Sequence, residues 1–134
     1  MAIQFIDGPV IDAGQSLSNV ADCRAGDIVR LTMPSGWDAV PLTFQISSDG
    51  TFFNDVFTHD GHEVTVAVEP GCAVIVPVNF LAAAAFIKFR SGTRSNPVPQ
   101  SAGRLFAISL KVPDVPTGTP PTEDPPVINI KLVR

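Results

Sequence analysis

The sequence is short of charged residues and of long hydrophobic runs. Only 16% of its 134 residues are charged, tyrosine is absent and there is a single tryptophan. The longest apolar run, residues 80–87, has eight residues, whereas a helix needs about 20 to cross a bilayer. We therefore expect no membrane-spanning segment. The start of the chain has neither a basic region nor a long apolar core, so we do not expect a signal peptide.

Basic residues are scarce, which bears on the possible partners. Nine Lys and Arg stand against thirteen Asp and Glu, giving a net charge of −4 and an isoelectric point of about 4.9. Proteins that bind nucleic acids neutralise phosphates with clustered basic side chains, so we expect no nucleic-acid partner. A surface with few charges is instead typical of a chain that lies against other protein.

Reactive groups are also few. The two cysteines, Cys23 and Cys72, are too far apart to form a metal-binding motif. We predict two buried, reduced thiols, because the reducing cytosol disfavours a disulfide; a disulfide formed after release from the cell is the alternative. The chain has no GxSxG or HExxH motif, and no Cys or Ser has an evident His partner. We predict a protein that is not an enzyme and has no cofactor.

Proline and glycine are plentiful, with thirteen and ten residues, and predict many short strands joined by turns. We expect the fold to be organised around residues 37–57. There Leu42, Phe44 and Ile46 alternate with polar residues, which is typical of a half-buried strand. Residues 48–50 predict a turn, after which the chain returns across the same core. Trp37 is expected in that core.

Further strands are predicted on both sides of this hairpin. In residues 27–33, Val29, Leu31 and Met33 share one face. Residues 63–69 have the clearest alternation, residues 72–78 predict a strand buried on both faces, and residues 80–85 predict one or two helical turns. With strands at 85–90 and 104–112, the sequence predicts an all-β fold, a jelly-roll-like antiparallel β-sandwich over residues 1–112.

The end of the chain has a different composition. Residues 113–126 hold six prolines in fourteen positions and predict an extended proline-rich linker. Residues 127–134 return to a strand pattern and predict a C-terminal arm that pairs with a neighbouring subunit. Its candidate contact residues are Val127, Ile128, Ile130 and Leu132.

Five motifs together resemble a group of small phage and prophage structural proteins. They are GQSLS at 14–18, MPSGW at 33–37, LTFQISSDGTFF at 42–53, GHEVTV at 61–66 and KFRSGTRSNPVPQSAGRLFAISL at 88–110. They span about three-quarters of the chain and leave the proline-rich end outside. The SxDG turn followed by an aromatic residue and FIKFR is more faintly similar to discoidin or galactose-binding jelly rolls, which bears on fold more than on function.

This resemblance implies a non-enzymatic bacteriophage virion protein, made in the host cytoplasm and located in the virion. We expect a capsid decoration (cement) protein that binds the outer head surface and bridges subunits. Its partners would be the major capsid protein or other virion subunits, and we expect a homo-oligomer, with a trimer favoured. The alternative is a carbohydrate- or receptor-binding module of a tail fibre, spike or neck, with Trp37 and the Asp-Gly loops exposed at one end.

Three arginines around the RSGT motif are further candidates for partner binding. Arg90, Arg94 and Arg104 bracket this loop, and a surface that simply retains charge is the simpler interpretation. The functional alternative is an arginine-lined contact to an acidic partner.

One cluster resembles a metal site. Residues 59–63 contain two His, an Asp and a Glu, but a tetrahedral site needs a further fixed ligand, so we expect a solvated hairpin loop. Asp49 and Asp55 flank the first turn, where we expect Asx-type capping; their spacing is not diagnostic of calcium binding. We predict no metal.

Overall fold

The computed structural model describes residues 2–77, 79–81 and 83–113. They form eight strands: β1 Ala2–Ile11, β2 Ala21–Asp22, β3 Asp27–Thr32, β4 Leu42–Ser47, β5 Asn54–Asp55, β6 Ala73–Ile75, β7 Phe86–Ser91 and β8 Arg104–Val112. The predicted all-β class is confirmed. No helix in the described part of the chain is long and apolar enough to cross a membrane. Apart from Pro113, the predicted linker and the arm at 127–134 lie outside the described residues.

Two four-stranded antiparallel sheets make up the domain. One has the order β1-β8-β3-β6 and the other the order β2-β7-β4-β5. The pairing is nested, because β4 pairs with β5, β3 with β6, β2 with β7 and β1 with β8. The chain thus folds as one long hairpin rolled into two sheets, which is the jelly-roll arrangement. The predicted hairpin within residues 37–57 is confirmed and lies at the centre of the pairing.

A row of aromatic rings joins the two sheets through the core. Trp37 contacts Phe106 of β8 edge-to-face at 5.4 Å between ring centroids, and Phe106 contacts Phe89 of β7 at 5.0 Å. Phe89 in turn contacts Phe44 of β4 at 5.4 Å. Such contacts add to the free energy gained by burial. The predicted core position of Trp37 is confirmed; its indole N–H donates to the carbonyl of Val40 at 3.0 Å.

Strand β3 presents different residues to the core from those predicted. Ile28, Leu31 and Met33 are buried, whereas Val29 is partly exposed. The pairing of β3 with β8 shifts register between Ile28 and Arg30. A bulge of this kind inserts one residue and reverses the alternation on one side of it. The prediction that Val29 shares the face of Leu31 is therefore wrong.

The segment after the central hairpin is less regular than predicted. Residues 63–69 form only isolated bridges, between Phe57 and Glu63 and between Leu42 and Val66, so the strand predicted there is wrong. Two of its valines are nevertheless buried in the core. An extended chain can bury alternate residues without a continuous ladder, and the sequence pattern is the same in both cases.

Residues 72–85 also depart from expectation. Strand β6 covers only Ala73–Ile75 at the edge of its sheet, and both end residues are exposed, so burial on both faces is wrong. The described residues of 80–85 form no helix, only a turn in which the Ala84 N–H donates to the Leu81 carbonyl at 3.1 Å, so the predicted helical segment is wrong as well. A stretch of six residues is too short to offset the cost of helix nucleation.

The two cysteines differ in environment. Both are free, with Cys23 buried and Cys72 exposed just before the edge strand β6. The prediction of two buried thiols is correct for Cys23 and wrong for Cys72. Burial raises the pKa of Cys23 to about 12, with a contribution from the negative charge of Asp22. Cys23 therefore stays a thiol at neutral pH and is a poor nucleophile.

Strand β4 is more deeply buried than a half-buried strand. Phe44 and Thr43 are both fully buried, although their side chains lie on opposite faces. The hydroxyl of Thr43 donates to the carbonyl of Gly92 at 2.7 Å, because the loop after β7 covers the outer face at this point. The expectation that the polar side chains of β4 face solvent is wrong for Thr43 and also for Ser47, which is buried.

These environments predict a graded effect of substitutions in β4. Phe44→Ala should lower the free energy of unfolding by about 3–5 kcal/mol, because it leaves a cavity in the aromatic row. Thr43→Val should cost about 1–3 kcal/mol by leaving a buried carbonyl without its donor. Gln45→Ala, at a partly exposed site, should cost less than either. Urea denaturation measures all three, and equal losses for Phe44→Ala and Gln45→Ala would contradict the register.

Candidate interaction surface

A buried charge cluster holds the RSGT motif at residues 90–93. The Arg90 guanidinium pairs with the carboxylate of Asp55 and lies 3.2 Å from Glu63 Oε2. Arg94 Nε lies 3.1 Å from Asp55 Oδ2, and the backbone N–H of Arg94 donates to the Glu63 carboxylate. Two arginines thus neutralise two acids in a place where an unpaired charge would be costly. The cluster ties β5, β7 and residue 63 together.

A second polar network surrounds Gln100. Its side-chain oxygen accepts hydrogen bonds from Arg104 Nε at 2.9 Å and from the backbone N–H of Asp38 at 3.0 Å, and its amide nitrogen donates to Ser91 at 2.8 Å. Arg104 is buried and lies 3.4 Å from the Asp38 carboxylate. Hydrogen bonds from the backbone N–H and then the hydroxyl of Ser101 lower the pKa of Asp38, with a smaller contribution from the Arg104 charge.

These networks decide the environment of the three predicted arginines. A surface that simply retains charge is the wrong description for Arg90 and Arg104, because both are buried and paired within the chain. The side chain of Arg94 is exposed, and its guanidinium lies 5.7 Å from the ring centroid of Phe57. A contact of the arginines with an acidic partner stays a prediction. The other candidates, Val127, Ile128, Ile130 and Leu132, lie outside the described residues.

Gly92 explains why the RSGT motif contains a glycine. Its φ is +88°, a conformation that L side chains rarely adopt. A Cβ at this position would lie 2.5 Å from the carbonyl oxygen of Asn96 and 2.9 Å from the backbone nitrogen of Val98. The motif therefore shapes a tight loop, and its polar side chains serve that loop and the core beneath it.

The loop at residues 59–63 has no ion-binding geometry. Asp60 and His62 are exposed, with Asp60 Oδ1 lying 3.3 Å from His62 Nδ1, so the predicted solvated loop is confirmed for these two residues. Glu63 instead points inward and pairs with Arg90. Within residues 2–77, 79–81 and 83–113, no group of three or more His, Cys, Asp or Glu side chains could hold a metal ion.

The two acids of the central turn have separate roles. Asp49 Oδ1 accepts hydrogen bonds from the backbone N–H groups of Thr51 at 2.8 Å and Phe52 at 3.1 Å, which confirms the predicted Asx-type capping. These bonds, that from Thr51 first, lower the pKa of Asp49. Asp55 instead belongs to the Arg90 cluster.

An exposed apolar surface lies on the outer face of the sheet β1-β8-β3-β6. Phe5 is 65% exposed, Ile75 75% and Ile3 44%. Phe5 and Arg30 both lie opposite Ser109 of β8, and Ile75 lies opposite Arg30. We call this surface the outer patch; it forms a depression of about 380 Å³ lined by Ile3, Phe5, Val29, Arg30, Ile75 and Ser109.

Arg30 lies at the centre of the outer patch. Its guanidinium carbon is 5.6 Å from the ring centroid of Phe5. Its Nε is buried and has no hydrogen-bond partner in the part of the chain that the structure describes. The patch thus combines exposed apolar side chains with a buried donor that no described residue satisfies. Sequence reasoning missed this surface, because three strands that are distant in the sequence build it; alternation of Ile3 and Phe5 was the one available signal.

A groove at the end of the central hairpin has a different character. Phe52 is 76% exposed and Phe57 43% exposed. With Asp49, Asn54 and Asp55 among their neighbours, they line an open groove of about 460 Å³. Exposed rings beside carboxylate and amide groups offer both stacking and hydrogen bonding to a polar ligand.

The chain matches no protein-family model, no curated protein and no solved structure.

The Arg90 cluster predicts a large effect of a single charge removal. Arg90→Met keeps most of the side-chain length but leaves Asp55 and Glu63 without their shared partner, which should cost about 3–5 kcal/mol of folding stability. The matched control is Arg24→Met, because Arg24 pairs with Asp22 at an exposed site. The control should shift the thermal midpoint only slightly. Equal shifts for both variants, measured by calorimetry, would show that the cluster is not a stabilising unit.

Proposed function

We propose that this chain is a non-enzymatic bacteriophage virion protein, a decoration (cement) protein that binds the outer surface of the capsid. The outer patch is the observation that carries the proposal. Phe5 and Ile75 are large apolar side chains exposed on one open sheet face of a charge-poor domain. Apolar surface of this kind, gathered around a cation, is typical of a protein–protein contact.

The placement of the motif residues supports a structural role. Glu63, Arg90, Gln100 and Arg104, all within the motifs that resemble phage structural proteins, bind one another or neighbouring loops inside the domain. Asp49 and Gly50 shape the turn of the central hairpin. The polar side chains of these motifs therefore stabilise the jelly roll itself. The features left for binding a partner are mainly exposed apolar side chains such as Phe5 and Ile75.

A capsid surface is a suitable partner for such a patch. The proposed partner is the major capsid protein, with the decoration protein acting as a homo-oligomer for which a trimer is favoured. Burying one large apolar side chain contributes about 1.5–3 kcal/mol. Several copies that bind a repeating shell together gain avidity without any new type of contact. A small patch repeated in an oligomer is thus sufficient for stable attachment.

The proposal predicts how variants of the outer patch bind capsids. Phe5→Lys and Ile75→Lys should each weaken binding to emptied capsids of the phage that encodes the chain by about tenfold or more, because each replaces a buried apolar contact with a charge. Co-sedimentation of purified protein with the shells measures the effect. Phe52→Lys is the matched control, since Phe52 is equally exposed but lies in the other sheet's hairpin.

The result also separates attachment from other roles in the particle. Stoichiometric binding of the unaltered chain and of Phe52→Lys, with loss in the two patch variants, supports decoration. No binding of the unaltered chain to shells, or equal binding by all variants, overturns the proposal in this form.

A carbohydrate- or receptor-binding role is the second candidate, and the groove beside Phe52 favours it. The residue expected to stack on a sugar, Trp37, is buried and cannot do so. Phe52 and Phe57 are exposed instead, and Asp49 and Asn54 beside them can accept or donate hydrogen bonds to hydroxyl groups. This arrangement suits a neutral sugar on a cell surface.

The second candidate makes the opposite prediction for the same pair of sites. On a glycan array, Phe52→Ala should lose binding because it removes the stacking ring, whereas Phe5→Ala should retain it. If the unaltered chain binds no glycan, or if Phe52→Ala binds as well as the unaltered chain, this candidate is wrong.

A further inference from the structure

The first half of β1 is an unpaired sheet edge within the described residues. β1 is the outermost strand of its sheet, and residues 2–7 pair only with β8. Farther along the strand, Val10 is covered, since it exchanges hydrogen bonds with Asn19. In an antiparallel pair, alternate residues direct their N–H and C=O groups away from the partner. Residues 2–7 therefore present a row of free backbone donors and acceptors.

The first part of this edge lacks two features that usually protect edge strands, since Pro9 and the register shift of β1 both come after Asp7. Natural proteins guard them with lysine, proline or short length. Residues 2–7 contain no lysine or proline, and Ile3 and Phe5 are exposed. An edge six residues long with apolar side chains is a template for another strand. We take this as a sign that the edge is occupied in the assembled protein.

A groove runs beneath the same edge, between the two sheets. Its volume is about 600 Å³, and β1 and β2 contribute most of its lining. On the β1 side it is lined by Ile6 and Pro9, and on the β2 side by Val20 and Ala21. Val20 is exposed, so the apolar floor of the groove is open. A strand added to β1 would place every second side chain over this floor.

The last residues of the chain have the pattern that such a strand needs. Residues 127–133, VINIKLV, match the six-residue edge in length and are apolar at five of seven positions. Ile128, Ile130 and Leu132 would share one face, and Asn129 and Lys131 the other. The apolar face suits the groove, and the mixed face suits the solvent side beside Ile3 and Phe5.

The length of the preceding segment favours a second copy as the acceptor. β8 ends at Val112 beside Ala2 of β1, and neighbouring strands are about 5 Å apart. The free edge of β1 lies two strand spacings, about 10 Å, from β8, so a return to its own edge would take only about three to five residues. Residues 113–126 instead provide fourteen positions with six prolines, which span about 40 Å in polyproline geometry. In that geometry a segment of this length would be able to reach a second copy.

The distribution of charged residues also favours addition of residues 127–133 to this edge. The only charged residues of 127–134 are Lys131 and Arg134, so the excess of acidic residues lies in the rest of the chain. The edge itself carries one charged residue, Asp7; the groove also contains Asp22, but this pairs with Arg24 at 2.8 Å, so Asp7 is the one charge of the groove that no described residue compensates. A basic terminal segment is attracted to an acidic neighbour, which offsets the repulsion between two copies of net charge −4.

We propose that residues 127–133 of one copy add as a strand to residues 2–7 of a second copy. Ile128, Ile130 and Leu132 cover the groove between β1 and β2, and the backbone of the added strand satisfies the free edge. Because the donor and the acceptor are different surfaces, the contact is head-to-tail and closes into a ring such as a trimer when the rotation allows it.

Cross-linking of two marked populations tests the proposal on the full chain. One population carries Ile3→Cys and the other Asn129→Cys, both with Cys72→Ser so that no other exposed thiol is present. A short bismaleimide is added to the mixture, and the products are separated by denaturing electrophoresis. The expected result is a heterodimer of one chain from each population. Replacing Ile3→Cys with Thr51→Cys, in the exposed turn of the other sheet, should abolish it.

A matched pair of arm variants tests the apolar face. Ile130→Asp introduces a carboxylate on the face that covers the groove, and Asn129→Asp introduces the same group on the opposite face. Sedimentation velocity should show loss of self-association for Ile130→Asp and retention for Asn129→Asp. The folded state of each variant is checked by far-ultraviolet circular dichroism, which neither change should alter.

Each outcome has a defined meaning. A third variant carries Ile3→Cys and Asn129→Cys in one chain. If this variant forms an intrachain link while the mixed populations form no heterodimer, the arm returns to its own domain and the proposal is overturned. Absence of any link at residue 3, or equal behaviour of the two arm variants, also overturns it. These measurements use purified protein without capsids, so failure here leaves capsid binding untouched, and failure of capsid binding leaves strand addition untouched.

Discussion

The buried pairing of Arg90 with Asp55 and Glu63 is the constraint on which much of this jelly roll depends. Residues 56–69 cross the domain without a regular strand, so few ladder hydrogen bonds hold them. Glu63 fixes this segment to β7 through Arg90 and to the next loop through the N–H of Arg94. A buried guanidinium is costly unless acidic groups stay beside it. Residues 56–69 are therefore held in the position that keeps Glu63 next to Arg90. The contacts of Glu63 thus hold a segment that ladder hydrogen bonds would hold in a regular strand.

Sequence patterns predicted the parts of the fold in which local alternation decides burial. The strands predicted at 85–90 and 104–112 correspond to β7 and β8, which cross the middle of their sheets and bury alternate residues, namely Ile87, Phe89, Phe106 and Ile108. The predictions failed where burial depends on a distant segment. Thr43 is buried by a loop fifty residues away, and the bulge in β3 is set by its pairing with β8.

The candidate surfaces were still less accessible from sequence. The outer patch joins residues of β1, β3 and β6, and they come together only through the register of β8 between β1 and β3 and of β6 against β3. For the arginines, the sequence predicted exposure, because charged side chains are usually exposed. Arg90 and Arg104 are instead buried. The domain thus buries two arginines beside an apolar core and exposes several large apolar side chains on one outer face.

The unequal environments of the two thiols have a practical consequence. Cys23 is buried with a pKa raised to about 12, whereas Cys72 is exposed one residue before β6. A maleimide dye will therefore attach at one position of the native chain without any engineering. From there the fluorophore sits about 10 Å along the strand from Ile75, close enough for its emission to respond when a neighbouring molecule displaces water from that surface. A dye on Cys72 would therefore report on contacts made at the β6 side of the outer patch.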